Sequence, residues 1–274
     1  SFSGGKDSTV LLDLARQVCP DIPAVYVDTG LEYPELRDFV KTKDNVIWLL
    51  PRYPYTQILE KYGYPVISKD ISDVISGARK GQPYRLARLN GESLDKNGKK
   101  SIYNCEKYKY LLDAPFAISA RCCYYMKKAP LNKFERQSGR HPITGVLACE
   151  SKLREQKWLQ FGCNGYERKH PLSQPLAFWR EEDILRYLKM TGIPYAPIYG
   201  DIVEVKKRNG APTLKTTGVS RSGCMYCMYG VHLEHEPNRF QLMEKTHPQQ
   251  YHYCIHELGL GAVLDYIGVP YSCR

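Results

Sequence analysis

The chain of 274 residues has no long apolar run and no leader-like beginning. No stretch approaches the roughly 18 consecutive apolar residues that a membrane-spanning helix needs. No basic segment followed by an apolar one opens the chain, as a secretion signal would. The sequence therefore predicts a cytoplasmic protein that has no membrane partner.

Acidic residues are the scarcer charge, because 29 Asp and Glu stand against 39 Lys and Arg, for a net charge of +10. With 25% charged and 43% apolar residues the composition is globular, which excludes disordered and collagen-like chains. The cationic excess is typical of an anionic substrate such as a nucleotide, of a nucleic-acid partner, or of a solvated basic surface. Ten cysteines without an export signal indicate thiols or metal ligands before disulfides.

Short apolar runs alternate with helical patterns in the first 161 residues. The predicted strands lie at 24–27, 46–50 and 143–147, and the predicted helices at 9–15, 33–40 and 151–161. Strands that alternate with helices indicate an α/β fold, a parallel twisted sheet with helices on both faces. Almost no strand precedes the glycine-rich residues 3–8, so we expect the numbering to begin inside the first strand or after missing residues.

Two parts of the chain differ in pattern from this alternation. We expect residues 1–200 to form a nucleotide-binding α/β domain, and residues 201–274 a cysteine-containing extension packed on it. Residues 77–100 hold seven Lys and Arg with four glycines and little periodicity, so they predict an exposed basic insertion or mobile loop. This insertion is the part expected to contact a nucleic-acid acceptor, if the substrate has one.

The hexapeptide at residues 3–8 predicts an anion cradle. Two glycines permit positive φ angles and close backbone approach, so successive N–H groups can face one anion at a helix start. A lysine adds a point charge, and two serines add hydroxyl donors. The spacing is not that of a Walker A loop. The residues are Ser3, Gly4, Gly5, Lys6, Asp7 and Ser8. Asp7 is predicted to orient Lys6 or to help hold Mg²⁺, and its alternative role is simply to cap the helix.

This hexapeptide resembles the PP-loop of the N-type ATP pyrophosphatases, which include sulfate adenylyltransferase small subunits, phosphoadenosine phosphosulfate (PAPS) reductases and thiolation enzymes of tRNA and DNA. Residues 27–35, the Gly…Glu-Ser-x-x-Arg pattern at 145–154 and residues 175–199 are similar to the PAPS reductase branch. The resemblance implies an adenine nucleotide alpha hydrolase-like fold. It also implies nucleotide-binding roles for residues 3–8 and for a further set: Asp28, Thr29, Gly30, Gly145, Glu150, Ser151 and Arg154. The alternative role of Asp28 is to form a turn with Gly30.

Two departures from the family pattern concern the substrate. Leu147 stands where family members often carry an arginine two residues after the motif glycine, which removes one expected phosphate or sulfate contact. Sulfonucleotide reductases usually have a degenerate PP-loop, whereas the form at residues 3–8 is the intact, ATP-cleaving one. The second departure favours ATP over PAPS or adenosine phosphosulfate (APS).

Two cysteine pairs have informative spacing: Cys122 with Cys123, and Cys224 with Cys227. Four thiolates fit tetrahedral Zn²⁺ or a [4Fe–4S] cluster, and four buried thiols are the bland alternative. Adjacent cysteines on a helix point about 100° apart, which a cluster tolerates better than a single zinc ion does. The pattern Cys-Cys-x-x-x-Lys-Lys-x-Pro-Leu with a later Cys-x-x-Cys resembles the iron–sulfur motif of bacterial and plant-type APS reductases, and this resemblance implies a [4Fe–4S] cluster.

Sulfonucleotide reductases use a tail cysteine as nucleophile in a Glu-Cys-Gly-Leu/Ile-His motif. The nearest match here is Cys254, in Tyr-Cys-Ile-His within a helical pattern, so a buried helical thiol is its alternative role. Cys273, near the end of the sequence, is a second candidate. His232 and His235 follow the second cysteine pair and are predicted to be surface or supporting residues rather than ligands.

Three functions remain open at this point. The first is a sulfonucleotide reductase-like enzyme in which a thiolate attacks the sulfur of a sulfated nucleotide and thioredoxin, or another sulfur or electron donor, completes the reaction. The second is an ATP pyrophosphatase that adenylates a nucleic acid or small molecule for thiolation, with Lys6 and Asp7 as its catalytic residues. The third is a nucleotide or redox sensor without turnover.

Overall fold

The computed structural model describes residues 1–168 and 170–273. Backbone contacts divide the chain into two compact units, each made of two segments. The first unit is Ser1–Pro51 with Ala129–Cys224, and the second is Arg52–Lys128 with Met225–Arg274. This division differs from the predicted domains 1–200 and 201–274, which stay a prediction.

Helices and short strands alternate along the described residues. The α-helices in chain order are α1 (Lys6–Val18), α2 (Pro34–Lys41), α3 (Tyr55–Tyr62), α4 (Lys69–Ala78), α5 (Pro83–Asn90), α6 (Ala129–Ser138), α7 (Lys152–Phe161), α8 (Glu181–Thr191), α9 (Arg239–Thr246), α10 (Pro248–His252) and α11 (Leu260–Tyr266). The strands are β1 (Ala24–Val27), β2 (Val46–Leu49), β3 (Val66–Ile67), β4 (Asn164–Gly165), β5 (Leu172–Ser173), β6 (Ile202–Lys206), β7 (Pro212–Thr216) and β8 (Met228–Tyr229). Short 3₁₀-helices span Glu106–Asp113, Ala148–Glu150, Pro197–Tyr199 and Val231–Leu233, and π-helical turns span Tyr124–Lys128 and Tyr253–Glu257.

A parallel strand pair, β1 with β2, anchors the first unit, with Ala24 opposite Val46. The first residues of the chain lie beside β1, because the Phe2 N–H donates to the Val25 carbonyl at 2.8 Å. On their other side Ile143 accepts from the Ser1 amino group and forms a parallel bridge with Ser173. The glycine loop therefore follows an extended segment at the carboxyl end of parallel chains, where open α/β sheets bind ligands.

Two apolar clusters hold the helices of this unit in place. One packs Leu36, Phe39 and Val40 of α2 against β1. The other packs Val10 and Leu11 of α1 against α8, with Leu147 and Leu176. The apolar positions of α1 predicted this burial, and burying aliphatic side chains of this size contributes about 1.5–3 kcal/mol each. The two clusters fix the start of α1, and with it the loop.

The α/β class is confirmed, and so are the predicted strands at 24–27 and 46–50 and the predicted helices at 9–15, 33–40 and 151–161. The predicted strand at 143–147 is wrong, since only Ile143 makes a ladder bridge. Thr144 still donates to the Ser173 carbonyl, but the segment opposite then forms a turn, in which the Ala177 N–H donates to the Gln174 carbonyl. A segment that turns cannot continue the hydrogen-bond ladder of a strand pair.

The second unit contains a short parallel pair, β3 with β8. The predicted loop at 77–100 is wrong for its first half, because α4 and α5 occupy much of it. In α5 Leu89 is fully buried, and Arg88 donates to the Asp70 carboxylate at 2.6 Å. An ion pair between a buried Arg88 and an exposed Asp70 thus replaces one of the expected solvated charges. Within the described parts of the chain, no helix is both long and apolar enough to cross a membrane.

Candidate functional site: a cleft at the glycine loop

The loop before α1 is closed by its own hydroxyl groups. The Ser3 N–H donates to Ser8 Oγ at 3.2 Å, and Ser8 Oγ donates to the Gly5 carbonyl at 2.8 Å. Gly4 has φ +74°, and a Cβ there would lie 2.8 Å from Val40 Cγ2. Both the positive φ and the close packing require glycine at this position. The turn leaves the first N–H groups of α1 at the site, where an anion is favoured.

Lys6 is held by groups from distant parts of the sequence. Its Nζ donates to the Ser220 carbonyl at 2.9 Å and lies 3.1 Å from Glu181 Oε1. Its backbone N–H donates to the Tyr199 hydroxyl at 3.3 Å, and that hydroxyl donates to Ser222 Oγ at 2.5 Å. The lysine side chain is only 6% exposed, so burial and these contacts hold its ammonium group in one position.

Asp7 has a carboxylate oxygen without a partner. Among the described residues, its buried Oδ1 has no hydrogen bond. Burial raises the pKa of Asp7, and the nearby charges of Lys6 and Arg154 oppose that rise. A buried carboxylate oxygen of this kind is suited to a cation or a ligand donor.

The loop opens on a cleft of about 560 Å³ in the first unit. The residues that line it are Ser1, Ser3, Gly5, Lys6, Asp7, Ser8, Thr144, Gly145, Val146, Leu147, Cys149, Glu150, Arg154, Glu181, Tyr199, Arg221, Ser222 and Gly223. Gly145 closes the cleft against the loop, since a Cβ there would lie 3.0 Å from the Asp7 carbonyl oxygen. The cleft brings together most of the predicted nucleotide-binding residues.

The Glu-Ser-x-x-Arg pattern divides into two roles. Glu150 and Arg154 form an ion pair within the cleft lining. Ser151 caps α7, because its Oγ accepts from the Arg154 N–H at 3.3 Å. Burial, followed by the charge of Arg221, lowers the pKa of Arg154.

The end of β1 lies outside the cleft lining. The Asp28 carboxylate accepts from Arg37 at 2.7 Å, and the Gly30 N–H donates to Asp28 Oδ1 at 3.3 Å. The Thr29 hydroxyl donates to Glu32 at 2.7 Å. These bonds match the turn-forming alternative for Asp28, and the nucleotide-binding role of the three residues stays a prediction.

Sequence reasoning missed several groups in the cleft: Thr144, Glu181, Tyr199, Arg221 and Ser222. Tyr199 lies within a segment similar to the PAPS reductase branch, so that similarity marked the segment but not the hydroxyl. Nothing local in the sequence places residues 220–222 beside a loop more than 200 positions earlier.

Cys122 and Cys123 lie in one helical turn of the second unit, directly before the π-helical turn Tyr124–Lys128. A hydrogen bond from Cys122 lowers the pKa of Cys123 to about 6, against the opposing effect of burial. The charges of Lys69, Lys127 and Lys128 lower it further. A thiol that is readily deprotonated among lysines is a suitable ligand for a metal centre that carries negative thiolates.

The second cysteine pair straddles the division between the units, with Cys224 ending the first and Cys227 in the second. Burial raises the pKa of Cys227, and the charge of Cys123 adds to the rise. In residues 1–168 and 170–273 no three His, Cys, Asp or Glu side chains form a metal-binding group. The chemistry of the four thiols fits an iron–sulfur cluster, and their ligand role stays a prediction.

The candidate nucleophiles are packed thiols. Cys254 is fully buried, it donates to the Tyr251 carbonyl at 3.4 Å, and burial raises its pKa to about 12. A neutral, inaccessible thiol does not support the predicted catalytic role. Cys273 is half-buried, and its Sγ donates to the Gln241 carbonyl at 3.6 Å. His232 stacks edge-on against Tyr108.

Comparison with known proteins gives the family. Residues 1–47 and 88–228, more than two thirds of the chain, match the phosphoadenosine phosphosulfate reductase domain. An uncharacterized protein of Methanocaldococcus jannaschii is 42% identical over 69 residues, 24% of this chain and 17% of that protein. Adenosine 5'-phosphosulfate reductases of Staphylococcus epidermidis and Geobacillus kaustophilus are 25% and 27% identical, over 73% and 70% of this chain.

The chain spans 63% of the length of each of these two reductases. A crystal structure of phosphoadenylyl-sulfate (PAPS) reductase from Candida auris in a phosphate complex aligns with a TM-score of 0.38 and 14% identity. That alignment covers 72% of this chain and 74% of the other. On the extent of the domain match, this chain belongs to the phosphoadenosine phosphosulfate reductase domain family.

Proposed function

We propose that this chain binds an adenine nucleotide in the cleft at the glycine loop and acts on it in sulfur transfer or sulfonucleotide reduction. The observation that carries the proposal is the meeting of Lys6, Asp7 and Arg154 with the N-terminus of α1 in one cleft. Preorganised N–H groups and a fixed ammonium stabilise charge that develops on a phosphate leaving group. Family membership supports a sulfonucleotide as the substrate.

In sulfonucleotide reduction, a thiolate attacks the sulfur of APS or PAPS and the S–O bond to the phosphate breaks. The nucleotide leaves with the electron pair of that bond, as AMP from APS or as adenosine 3',5'-bisphosphate from PAPS, and a protein thiosulfonate remains. Thioredoxin or another dithiol then releases sulfite and becomes oxidised. In this scheme Lys6 and the loop N–H groups stabilise the leaving phosphate, and the attacking thiol is unassigned because Cys254 is buried.

One observation favours a second candidate, ATP-dependent adenylation. The loop is the intact form, and Asp7 Oδ1 lies buried beside Lys6 without a hydrogen-bond partner among the described residues. Such an oxygen suits a Mg²⁺ ion that accompanies ATP. An acceptor oxygen would attack the α-phosphate, and pyrophosphate would leave from the loop. The acceptor would be a nucleic acid or a small molecule to be thiolated.

For the cluster, we propose that Cys122, Cys123, Cys224 and Cys227 hold [4Fe–4S]. Such a cluster supplies a local charge and a redox-active centre. The low pKa of Cys123 and the lysines around it support this assignment, because thiolate ligands must be deprotonated. Iron and acid-labile sulfide analysis tests it, and a colourless protein with one zinc per chain would contradict it.

The two reactions are separated by their products. Anaerobically purified protein would be incubated with APS or PAPS plus reduced thioredoxin, and separately with ATP, Mg²⁺ and candidate acceptors. Sulfite in the first assay supports reduction, and pyrophosphate in the second supports adenylation. Tight nucleotide binding without either product would leave only the third function, a nucleotide or redox sensor without turnover. If the protein bound none of APS, PAPS and ATP, the proposal would be overturned.

A further inference from the structure

Three cationic side chains line the cleft, and two of them have an anionic partner. Lys6 pairs with Glu181, and Arg154 pairs with Glu150. Within residues 1–168 and 170–273 the guanidinium of Arg221 has no hydrogen bond or ion pair. The third positive charge of the cleft is therefore the one without a counter-ion.

The position of Arg221 is fixed through the residues on either side of it. The Ser220 carbonyl accepts from Lys6 Nζ at 2.9 Å. Ser222 Oγ accepts from the Tyr199 hydroxyl at 2.5 Å, and that hydroxyl also accepts from the Lys6 N–H. The chain is thus tied to the glycine loop on both sides of Arg221, and Arg221 itself is an exposed residue that lines the cleft.

Arg221 lines the same cleft as Arg154. Burial, and after it the positive charge of Arg221, makes the protonated form of Arg154 less favourable. Two guanidinium groups that line one cleft repel each other, and an anion bound between them would relieve this repulsion. Leu147 stands where family members often carry an arginine. It is 2% exposed and packs in the apolar cluster with Val10 and Leu11, so this position adds no charge to the cleft.

We propose that Arg221, together with Arg154, binds the terminal anionic group of the nucleotide, a tetrahedral phosphate or sulfate attached through one bridging oxygen. Guanidinium groups bind such groups with two parallel hydrogen bonds, which a lysine cannot reproduce. The group is the γ-phosphate if the nucleotide is ATP and the sulfate if it is APS. This inference rests on the proposed function, and it names Arg221 as a residue that recognises the terminal group of the substrate.

The test is isothermal titration with AMP, APS and ATP·Mg²⁺, using the wild type, Arg221→Ala and Arg221→Lys. Loss of a charged hydrogen bond predicts that Arg221→Ala weakens APS or ATP binding by about 10- to 150-fold. AMP lacks the terminal group, so its affinity changes less than about twofold on the same account. Arg221→Lys keeps the charge without the paired donors, and its affinity for APS or ATP falls between the other two. Arg208→Ala is the matched control, an exposed arginine of the same unit outside the cleft lining.

The outcomes separate the two proposals. A loss confined to ATP identifies the phosphate, and a loss confined to APS identifies the sulfate; either supports the assignment. Unchanged APS and ATP affinities in Arg221→Ala, or an equal loss for AMP, overturn the assignment while the proposed function stands. If the wild type binds none of the three nucleotides, the proposed function fails, and the Arg221 assignment fails with it.

Discussion

Replacing Gly145 with alanine tests whether the loop depends on close backbone packing. A Cβ at this position would lie 3.0 Å from the carbonyl oxygen of Asp7 and 3.3 Å from the N–H nitrogen of Ser8. Ordinary contacts begin at 3.4 Å, so the backbone must move by about 0.4 Å. The contacted atoms are backbone atoms of the first turn of α1, and backbone atoms cannot rotate aside as a side chain would.

The expected cost follows from two opposing effects. Overpacking costs about 1–3 kcal/mol, and alanine restricts the unfolded chain by about 0.4–1 kcal/mol in the other direction. The net loss lies between about 0 and about 2.6 kcal/mol, and its central value of about 1.3 kcal/mol corresponds to about 3–5 °C in Tm for a chain of this size. The added Cβ also displaces the loop that binds the nucleotide, so we expect nucleotide affinity to fall about tenfold.

Gly223 is the matched control, since it lines the same cleft, has no positive φ and would place a Cβ with nothing within 4 Å. Gly223→Ala is expected to keep or slightly raise Tm. Calorimetric melting of both variants, with nucleotide titration at 25 °C, measures these effects. A Gly145→Ala protein as stable as Gly223→Ala and with wild-type affinity would refute the packing argument.

Three further predictions concern stability and metal content. Because burial raises the pKa of Asp7, ionising it costs the folded state stability above the ordinary Asp pKa of about 3.9. In urea unfolding, Asp7→Asn should therefore be more stable than the wild type at pH 7, with a difference that shrinks as the pH falls towards about 4; a constant difference would contradict this. Tyr199→Phe removes a hydroxyl that bonds to Ser222, and its Tm should fall by an amount equivalent to about 1–2 kcal/mol, whereas an unchanged Tm would show that this bond contributes nothing. Cys123→Ser should lose most of its iron while the exposed Cys19→Ser keeps it, and equal iron in the two would contradict the cluster assignment.

The sequence was most informative where the chemistry is local. The helices predicted after the loop at residues 3–8 and from residue 151 depend on neighbours within a few positions, and the structure has α1 at Lys6–Val18 and α7 at Lys152–Phe161. The buried face of α1 likewise follows from its apolar spacing. Local patterns therefore predicted the loop and the class of fold.

Contacts between distant segments were not predictable in this way. Tyr199 and Ser220 reach Lys6 across more than 190 positions, and no local pattern indicates such a contact. The burial of Arg88 was also missed, because its partner Asp70 lies in another helix. A charge-rich sequence with glycines is typical of a loop, and tertiary pairing overrode that tendency here.

Nucleotide titration of the wild type and of Lys6→Ala tests whether the glycine loop binds the nucleotide. We expect saturable binding of APS or ATP·Mg²⁺ to the wild type with one site per chain. For Lys6→Ala we expect at least about tenfold weaker binding with an unchanged circular dichroism spectrum. Equal affinities in the two proteins would contradict the proposed nucleotide site, because the loop lysine would then have no part in binding the nucleotide.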